Sequence, residues 1–589
     1  MPDYSQTINK IEKHINRNSI NSLSSCLFNK DEVLFSYSSG IARKSYDKGV
    51  DHRYASLDTK YQIGTFTKLL TAIAIMQLKD KGKLSLFDDI RKHLKDFTIK
   101  KRYNENEIAI RDILNERSGI PSSNYNLYTK NSENDYHDVV EYLKDQYVIC
   151  PPNAMEAKSD LGYTLLGIVI EELTSMRYID YINEFIFKPL DIEAIFIEKE
   201  EDYKKYKNIL DASYDAFGQE VIEPIKCLIP SRSNICLSVN DMAKIVSLFL
   251  NEGKYEGKEV VSNKSIETML EEPAFKNEVP NISKIGNALT FSHKYDSSLG
   301  LTIFVSGENI YNQIFITILK EKGICCVVAG DSYNGIEKIE DVCIDILKKT
   351  TNTEYKSSTS SSAKTNYLQC RIEDYAGVYP STNKQALIYL GNHLTLAYKN
   401  KKYRMRLKQD GYFELEERKY FFKKIKNKCA LVDKNGLLSI YTKKDNGDLE
   451  VDVVGYQART DDINPSWKKA LGVYRISQFD ESNPRLYEKM TLTIENGYLM
   501  MILQRNCTKR FVTAGVINNK EAIALGYGTE SYDTISLHLS NIKYCGMSFY
   551  KVRESSLNKE KVKKVNTERE ARREQKKKID KMFDFKWWM

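Results

Sequence analysis

An α/β (α+β) domain followed by two all-β antiparallel barrels is the architecture that this 589-residue sequence predicts. Three observations predict it. Residues 1–350 alternate helical apolar patterns with short apolar strand runs. Residues 351–366, a Ser/Thr/Asn/Lys stretch, lose all periodicity and read as a flexible linker. Beyond the linker come short alternating segments rich in tyrosine, punctuated by Asp410-Gly411, Asn435-Gly436 and Asn496-Gly497, turn pairs that favour β-hairpins.

In chain order, Glu32-Val33-Leu34-Phe35-Ser36-Tyr37 is the first strand candidate. Leu69, Leu70, Ala72, Ile73, Ile75, Met76 and Leu78 then fall in the rows of a largely buried helix, which Gly82 ends. Thr65 therefore lies at or near that helix's N-terminus, where unsatisfied amides create partial positive charge, and Lys68 sits one turn on along the same face. Such an amine is able to take a hydroxyl proton while the amides hold an oxyanion. An ordinary N-capping threonine has the same local sequence. Further helices are expected over 161–176 and 239–251, the second opened by a Ser238/Asp241 capping box, and Ile324-Cys325-Cys326-Val327-Val328-Ala329 reads as a strand.

The all-β part repeats. Tyr375-Ala376-Gly377-Val378-Tyr379 recurs 95 residues later as Ala470-Leu471-Gly472-Val473-Tyr474. Each copy is followed by a Gly-containing turn and an apolar strand, Leu394–Tyr398 in one and Leu499–Leu503 in the other. Barrels over 367–466 and 467–553 follow from that spacing. Residues 554–589 form a basic tail, a Lys/Arg/Glu-rich helix ending in Phe583-Asp584-Phe585-Lys586-Trp587-Trp588-Met589. It is suited to dock on a protein partner or an acidic membrane surface, or to pack back on its own chain.

Composition narrows the function classes. The net charge is +8, but residues 551–589 hold 14 Lys/Arg against 7 Asp/Glu, so the body is nearly neutral and no nucleic-acid partner is indicated. The 11 cysteines are scattered without a Cys-x-x-Cys, as expected of reduced core thiols, and the 7 histidines show no metal-ligand spacing. No phosphate-cradling glycine loop is present, so neither metal nor cofactor is expected. An N-terminus without an export pattern, and the lack of a long apolar run, predict a cytoplasmic protein.

Several ordered segments of residues 30–345 resemble the penicillin-binding-protein and class C β-lactamase group of serine hydrolases. Tyr61-Gln62-Ile63-Gly64-Thr65-Phe66-Thr67-Lys68 resembles its nucleophile segment, and Gly82-Lys83-Leu84-Ser85-Leu86-Phe87-Asp88-Asp89 the stretch after its helix. Ile110–Leu114 through Ser118-Gly119-Ile120-Pro121, Gly162-Tyr163-Thr164-Leu165-Leu166-Gly167, and Ile235–Ala243 with Asn251-Glu252-Gly253-Lys254 resemble later landmarks. The added barrels give the chain a D-aminopeptidase-like arrangement.

The resemblance implies a serine that attacks a carbonyl to form an acyl-enzyme, with a tyrosine or lysine shuttling protons. It also locates the departures. The nucleophile is Thr65, beside a retained Lys68. The Tyr-x-Asn motif falls on Lys158-Ser159-Asp160, and the Lys/His-x-Gly strand on Val305-Ser306-Gly307. Thr65, Lys68, Lys158 and Asp160 are therefore the catalytic candidates, and Ser159, Ser306 and Gly307 the substrate-binding ones. A threonine methyl stiffens the side chain and crowds the approach of a carbonyl. Two amines beside one hydroxyl would lower each other's basicity, whereas Asp160 paired with either would keep it charged. Val305 has no charge with which to recognise a carboxylate. Linked departures at three motifs predict an impaired hydrolase kept as a binding or scaffold module for a peptide, ester or protein. The alternative is an active acyl hydrolase or transferase of esterase, amidase or peptidase type, with Thr65 as nucleophile and Lys68 as base.

Overall fold

The computed structural model describes residues 2–17, 20–45, 52–101, 107–125, 135–153, 156–214, 220, 228–271, 284–296, 298–309, 311–331 and 336–352, then 376–380, 385–390, 394–398, 401–407, 413–415, 418–424, 436–443, 449–456, 463–476, 486–495, 497–505, 508–525 and 533–552. Most of the expected linker, and all of the tail over 554–589, lie outside these residues.

The first 350 residues are built on one eight-stranded antiparallel sheet. Its spatial order is 284–288, 291–296, 300–308, 312–319, 324–331, 22–29, 33–43 and 53–54. The sheet's first strand in chain order, Ser22–Asn29, lies beside its last, Ile324–Asp331, with Cys26 opposite Val327. Joining the two ends of the domain at the middle of the sheet ties the hydrolase-like segments between them to one frame.

Both faces of the sheet are covered, which explains apolar runs where a one-sided strand would alternate. Cys325, Val327 and Ala329 face a core shared with the Thr67–Asp80 and Asp160–Thr174 helices. Cys326 and Val328 face the other way, onto Ile339, Val342, Cys343 and Ile346 of the Ile336–Thr350 helix and Ile11 of the Ser5–Asn16 helix. The adjacent cysteines thus point to opposite sides as buried thiols.

The Thr67–Asp80 helix is buried on every face from Thr67 to Leu78, so its apolar content rather than amphipathicity places it at the centre. It stops where the sequence places its end. Gly82 has φ +67°, and the Gly82 and Lys83 amides donate to the Lys79 and Leu78 carbonyls. The Val239–Ser247 helix opens on the expected box, with the Ser238 hydroxyl accepting from the Asp241 N–H at 3.1 Å and Asp241 Oδ2 accepting from the Ser238 N–H at 2.7 Å. Ser238→Ala is expected to destabilise the N-terminal region by about 1 kcal/mol, measured on its urea transition.

The repeat marks equivalent strands. Gly377–Pro380 and Gly472–Ile476 are the first strands of their units, and Leu394–Tyr398 and Tyr498–Arg505 the third. The second unit is a closed eight-stranded antiparallel barrel, completed where Tyr474 pairs with Lys551. The Pro465–Ala470 helix precedes it, capped by Asn464, with Trp467 fully enclosed and its Nε1 donating to the Asn518 carbonyl at 2.9 Å. Among the described residues the first unit, expected as a barrel, forms a four-stranded and a five-stranded sheet, with strands within 377–404 and 406–456. Among the described residues no helix is long and apolar enough to cross a membrane.

Candidate functional site

The site is assembled at the junction of the short strand Tyr61–Gly64, the buried helix that follows it, and the edge of the Gly300–Glu308 strand. Gly64 makes the turn possible. Its φ is +49°, and a Cβ there would stand 2.2 Å from the Glu308 carbonyl oxygen. Gly307 answers it from the other side, since a Cβ at 307 would lie 2.6 Å from Phe66 Cβ and 2.8 Å from the Ile63 oxygen. The two glycines let strand and turn touch backbone to backbone, a physical reason for a glycine in the Val305-Ser306-Gly307 segment.

Contact this close uses up the polar groups around the hydroxyl. The Thr65 N–H donates to the Glu308 carbonyl at 3.1 Å, and the Glu308 N–H donates to Thr65 Oγ1 at 3.0 Å. Arg232 Nη1 donates to the same carbonyl at 2.7 Å. Both amides beside Thr65 are therefore engaged within the protein instead of facing an incoming carbonyl oxygen.

Lys68, one turn further on, is buried. Its Nζ donates to Glu116 Oε1 at 2.7 Å, lies 3.0 Å from Asp160 Oδ1, and stands 5.0 Å from the centre of the Tyr163 ring. Burial works against the charge, but Glu116 and then Asp160 outweigh it and hold the ammonium above the ordinary lysine pKa. Burial pushes Glu116 up, opposed by Lys68 and by the Ser159 N–H that donates to its Oε2 at 2.6 Å. On its far side, Asp160 Oδ2 lies 3.6 Å from Arg232 Nε. The result is a chain of alternating charges, with Glu116, Lys68, Asp160 and Arg232 in order.

The other candidates separate. Ser159 is buried as the N-cap of the Asp160–Thr174 helix, accepting from the Gly162 N–H at 2.8 Å and donating to the Pro121 carbonyl at 2.6 Å, so its hydroxyl is spent locally. Lys158 is exposed and has no hydrogen bond or ion pair among the described residues; its charge is felt at the site as a pull on Glu116. Asp160 pairs with Lys68 rather than with Lys158. Val305 is buried in the helical core, Gly307 packs on Phe66, and strand alternation turns Ser306 to the opposite face. Glu116, Arg232 and Glu308 escape the sequence reading. Glu116 lies 48 residues from Lys68 in a charged loop and takes φ +56°, with no periodic signal to single it out.

A two-faced antiparallel sheet with a hydroxyl residue just before a buried helix and a lysine three residues on is consistent with the serine-hydrolase fold that the sequence segments resemble. The chain belongs to the β-lactamase family, whose model matches residues 8–330. It is 30% identical over 222 residues to protein flp of Staphylococcus aureus (strain N315), a match covering 37% of this chain and 42% of that protein. It is 25% identical over 258 residues to beta-lactamase-like protein 2 of Dictyostelium discoideum, covering 42% and 46%. The chain thus spans less than half the length of these relatives. Among solved structures it is similar to an octameric penicillin-binding protein homologue from Pyrococcus abyssi, with TM-score 0.52, 19% identity, 77% of this chain and 99% of that one. It is also similar to SurE, with TM-score 0.53, 15% identity, 76% and 96%. At these identities the likeness is one of fold.

Proposed function

We propose that this chain is a catalytically impaired member of the β-lactamase family, acting as a binding or scaffold module for a peptide or protein partner. One observation carries the reading: Lys68 is a buried cation clamped by Glu116 at 2.7 Å and Asp160 at 3.0 Å. A general base must hold a lone pair toward the nucleophile. An ordinary lysine is neutral to well under about 0.1% at pH 7, and Lys68 is pushed further from neutrality. The bond between the Glu308 N–H and Thr65 Oγ1 supports the same reading, because it occupies an oxyanion donor and the hydroxyl together. Cytoplasmic residence is part of the proposal, supported by seven described cysteines that are all buried thiols.

The test is covalent. The wild-type chain and Thr65→Ser are treated with a fluorophosphonate and with benzylpenicillin, then weighed intact. Neither is expected to gain an adduct, because restoring the primary hydroxyl leaves Lys68 charged and engaged. An adduct on Thr65 in the wild type would overturn the proposal in favour of an acyl hydrolase or transferase. An adduct only in Thr65→Ser would show that the lysine is still able to serve as a base and that the threonine methyl alone blocks attack.

A further inference from the structure

The carboxy-terminal barrel is tied to the segment that supports the site through an enclosed carboxylate. Asp533, immediately before the Thr534–Leu537 strand, is 1% exposed. Its Oδ1 accepts from the Ser122 N–H at 3.0 Å, while its Oδ2 accepts from the Ser122 hydroxyl at 2.9 Å and from the Cys545 thiol at 3.2 Å. Alongside, the Tyr125 N–H donates to the Cys545 carbonyl at 2.9 Å. Ser118, Ser122, Ser123 and Asn124 are all buried, so this segment is held by polar bonds as much as by apolar packing.

The inner side of the same segment carries the site. The Ser122 carbonyl accepts from the Asp160 N–H at 2.9 Å and the Leu161 N–H at 3.4 Å. The neighbouring Pro121 carbonyl accepts the Ser159 hydroxyl at 2.6 Å. The Ser122 carbonyl takes up two amides of the first helical turn, which have no partner within the helix itself, and the Pro121 carbonyl holds the hydroxyl of its N-cap. One residue, Ser122, is thus gripped by the barrel on one side and supports the residue that clamps Lys68 on the other.

We propose that Asp533 is a positioning residue for the site: by fixing Ser122 it fixes the carbonyl on which the Asp160 amide rests, and docking of the barrel thereby maintains the Lys68 clamp. The inference rests on the reading of Lys68 as a structural cation, but its test reads backbone exchange and not acylation, so the two fail separately. The structure supplies a control. Lys100 Nζ and the Tyr147 hydroxyl bind Glu521 of the same barrel at 2.9 and 2.6 Å without touching Ser122.

Amide hydrogen exchange is measured at Asp160 and Leu161 in the full-length chain and in Asp533→Ala, Asp533→Asn and Lys100→Ala. Asp533→Ala is expected to exchange about tenfold faster at these two amides. Asp533→Asn, which retains one acceptor oxygen, is expected to fall between it and the wild type. Lys100→Ala is expected to match the wild type. Unchanged exchange at Asp160 and Leu161 in the Asp533 variants, or equal acceleration in Lys100→Ala, overturns the proposal. Asp533→Asn preserves side-chain shape and supplies the reading alone if the alanine variant does not fold.

Discussion

Lys68→Met is expected to destabilise the N-terminal region by about 3–5 kcal/mol, the range found when one partner of a buried ion pair is removed. The Lys68 ammonium is paired with the buried Glu116 carboxylate at 2.7 Å and lies 3.0 Å from Asp160, which also faces Arg232 at 3.6 Å. Methionine fills much of the same volume, so lost packing contributes little and the loss is electrostatic. A lysine retained for chemistry behaves in the opposite sense, since functional groups are commonly held at a cost to stability and their removal is often neutral or stabilising. Urea unfolding therefore separates a structural Lys68 from a catalytic one without any substrate. The sign with pH is fixed too. In Lys68→Met the Glu116 carboxyl loses its attraction while burial still raises its pKa. The variant should then recover stability on acidification, as protonation removes the uncompensated charge. The triple variant Lys68→Met, Glu116→Gln, Asp160→Asn should regain much of the loss. A single variant as stable as the wild type at pH 7 would sink the structural role.

The same residues show how far the sequence could be read. The buried helix, its end at Gly82, the Ser238 box and the paired first and third strands of the two β units were all legible, because each is written in periodicity or turn chemistry within a few residues. The family segments singled out Thr65, Lys68 and Asp160, and the fold brings these three together. What the sequence hid is non-local. Glu116 meets Lys68 only because the 110–125 segment folds back over the helix, and a Glu-Arg pair in a loop gives no hint of burial. Lys158 and Ser306 were expected beside Asp160 and Gly307, yet each points elsewhere. The N-cap geometry of Ser159 directs its neighbours Lys158 and Asp160 to different sides, and strand alternation does the same for Ser306 and Gly307. Motif spacing places a segment; the local backbone decides which of its side chains enters the site.

Asp211→Asn is expected to flatten the stability of the N-terminal region against pH between about 4 and 7. Asp211 is enclosed beneath the Thr65 turn, its Oδ1 accepting from the Ser22 hydroxyl at 2.6 Å and its Oδ2 from Asn312 Nδ2 at 3.0 Å. Burial pushes its carboxyl up to about 7 against the pull of Ser22, Asn312, Arg53 and Arg43. Tyr61, Tyr214 and Asp331 also face this cluster. A carboxyl raised above its unfolded value of 3.8 leaves stability highest below 3.8 and lowers it as pH rises toward about 7, levelling beyond. The slope is at most about 1.4 kcal/mol per pH unit, and roughly 4 kcal/mol bounds the whole effect. Asparagine carries no proton to lose, so the variant should lack this slope. It should bear instead a pH-independent penalty, because its amide N–H meets the donor of Asn312. The link to the site runs through Asn312, whose Oδ1 accepts from the Gln62 N–H at 3.0 Å, three residues before Thr65. Urea midpoints for both proteins from pH 4 to 8 give the comparison. Parallel curves would mean that Asp211 stays ionised throughout, and that the support beneath the Thr65 turn does not respond to pH.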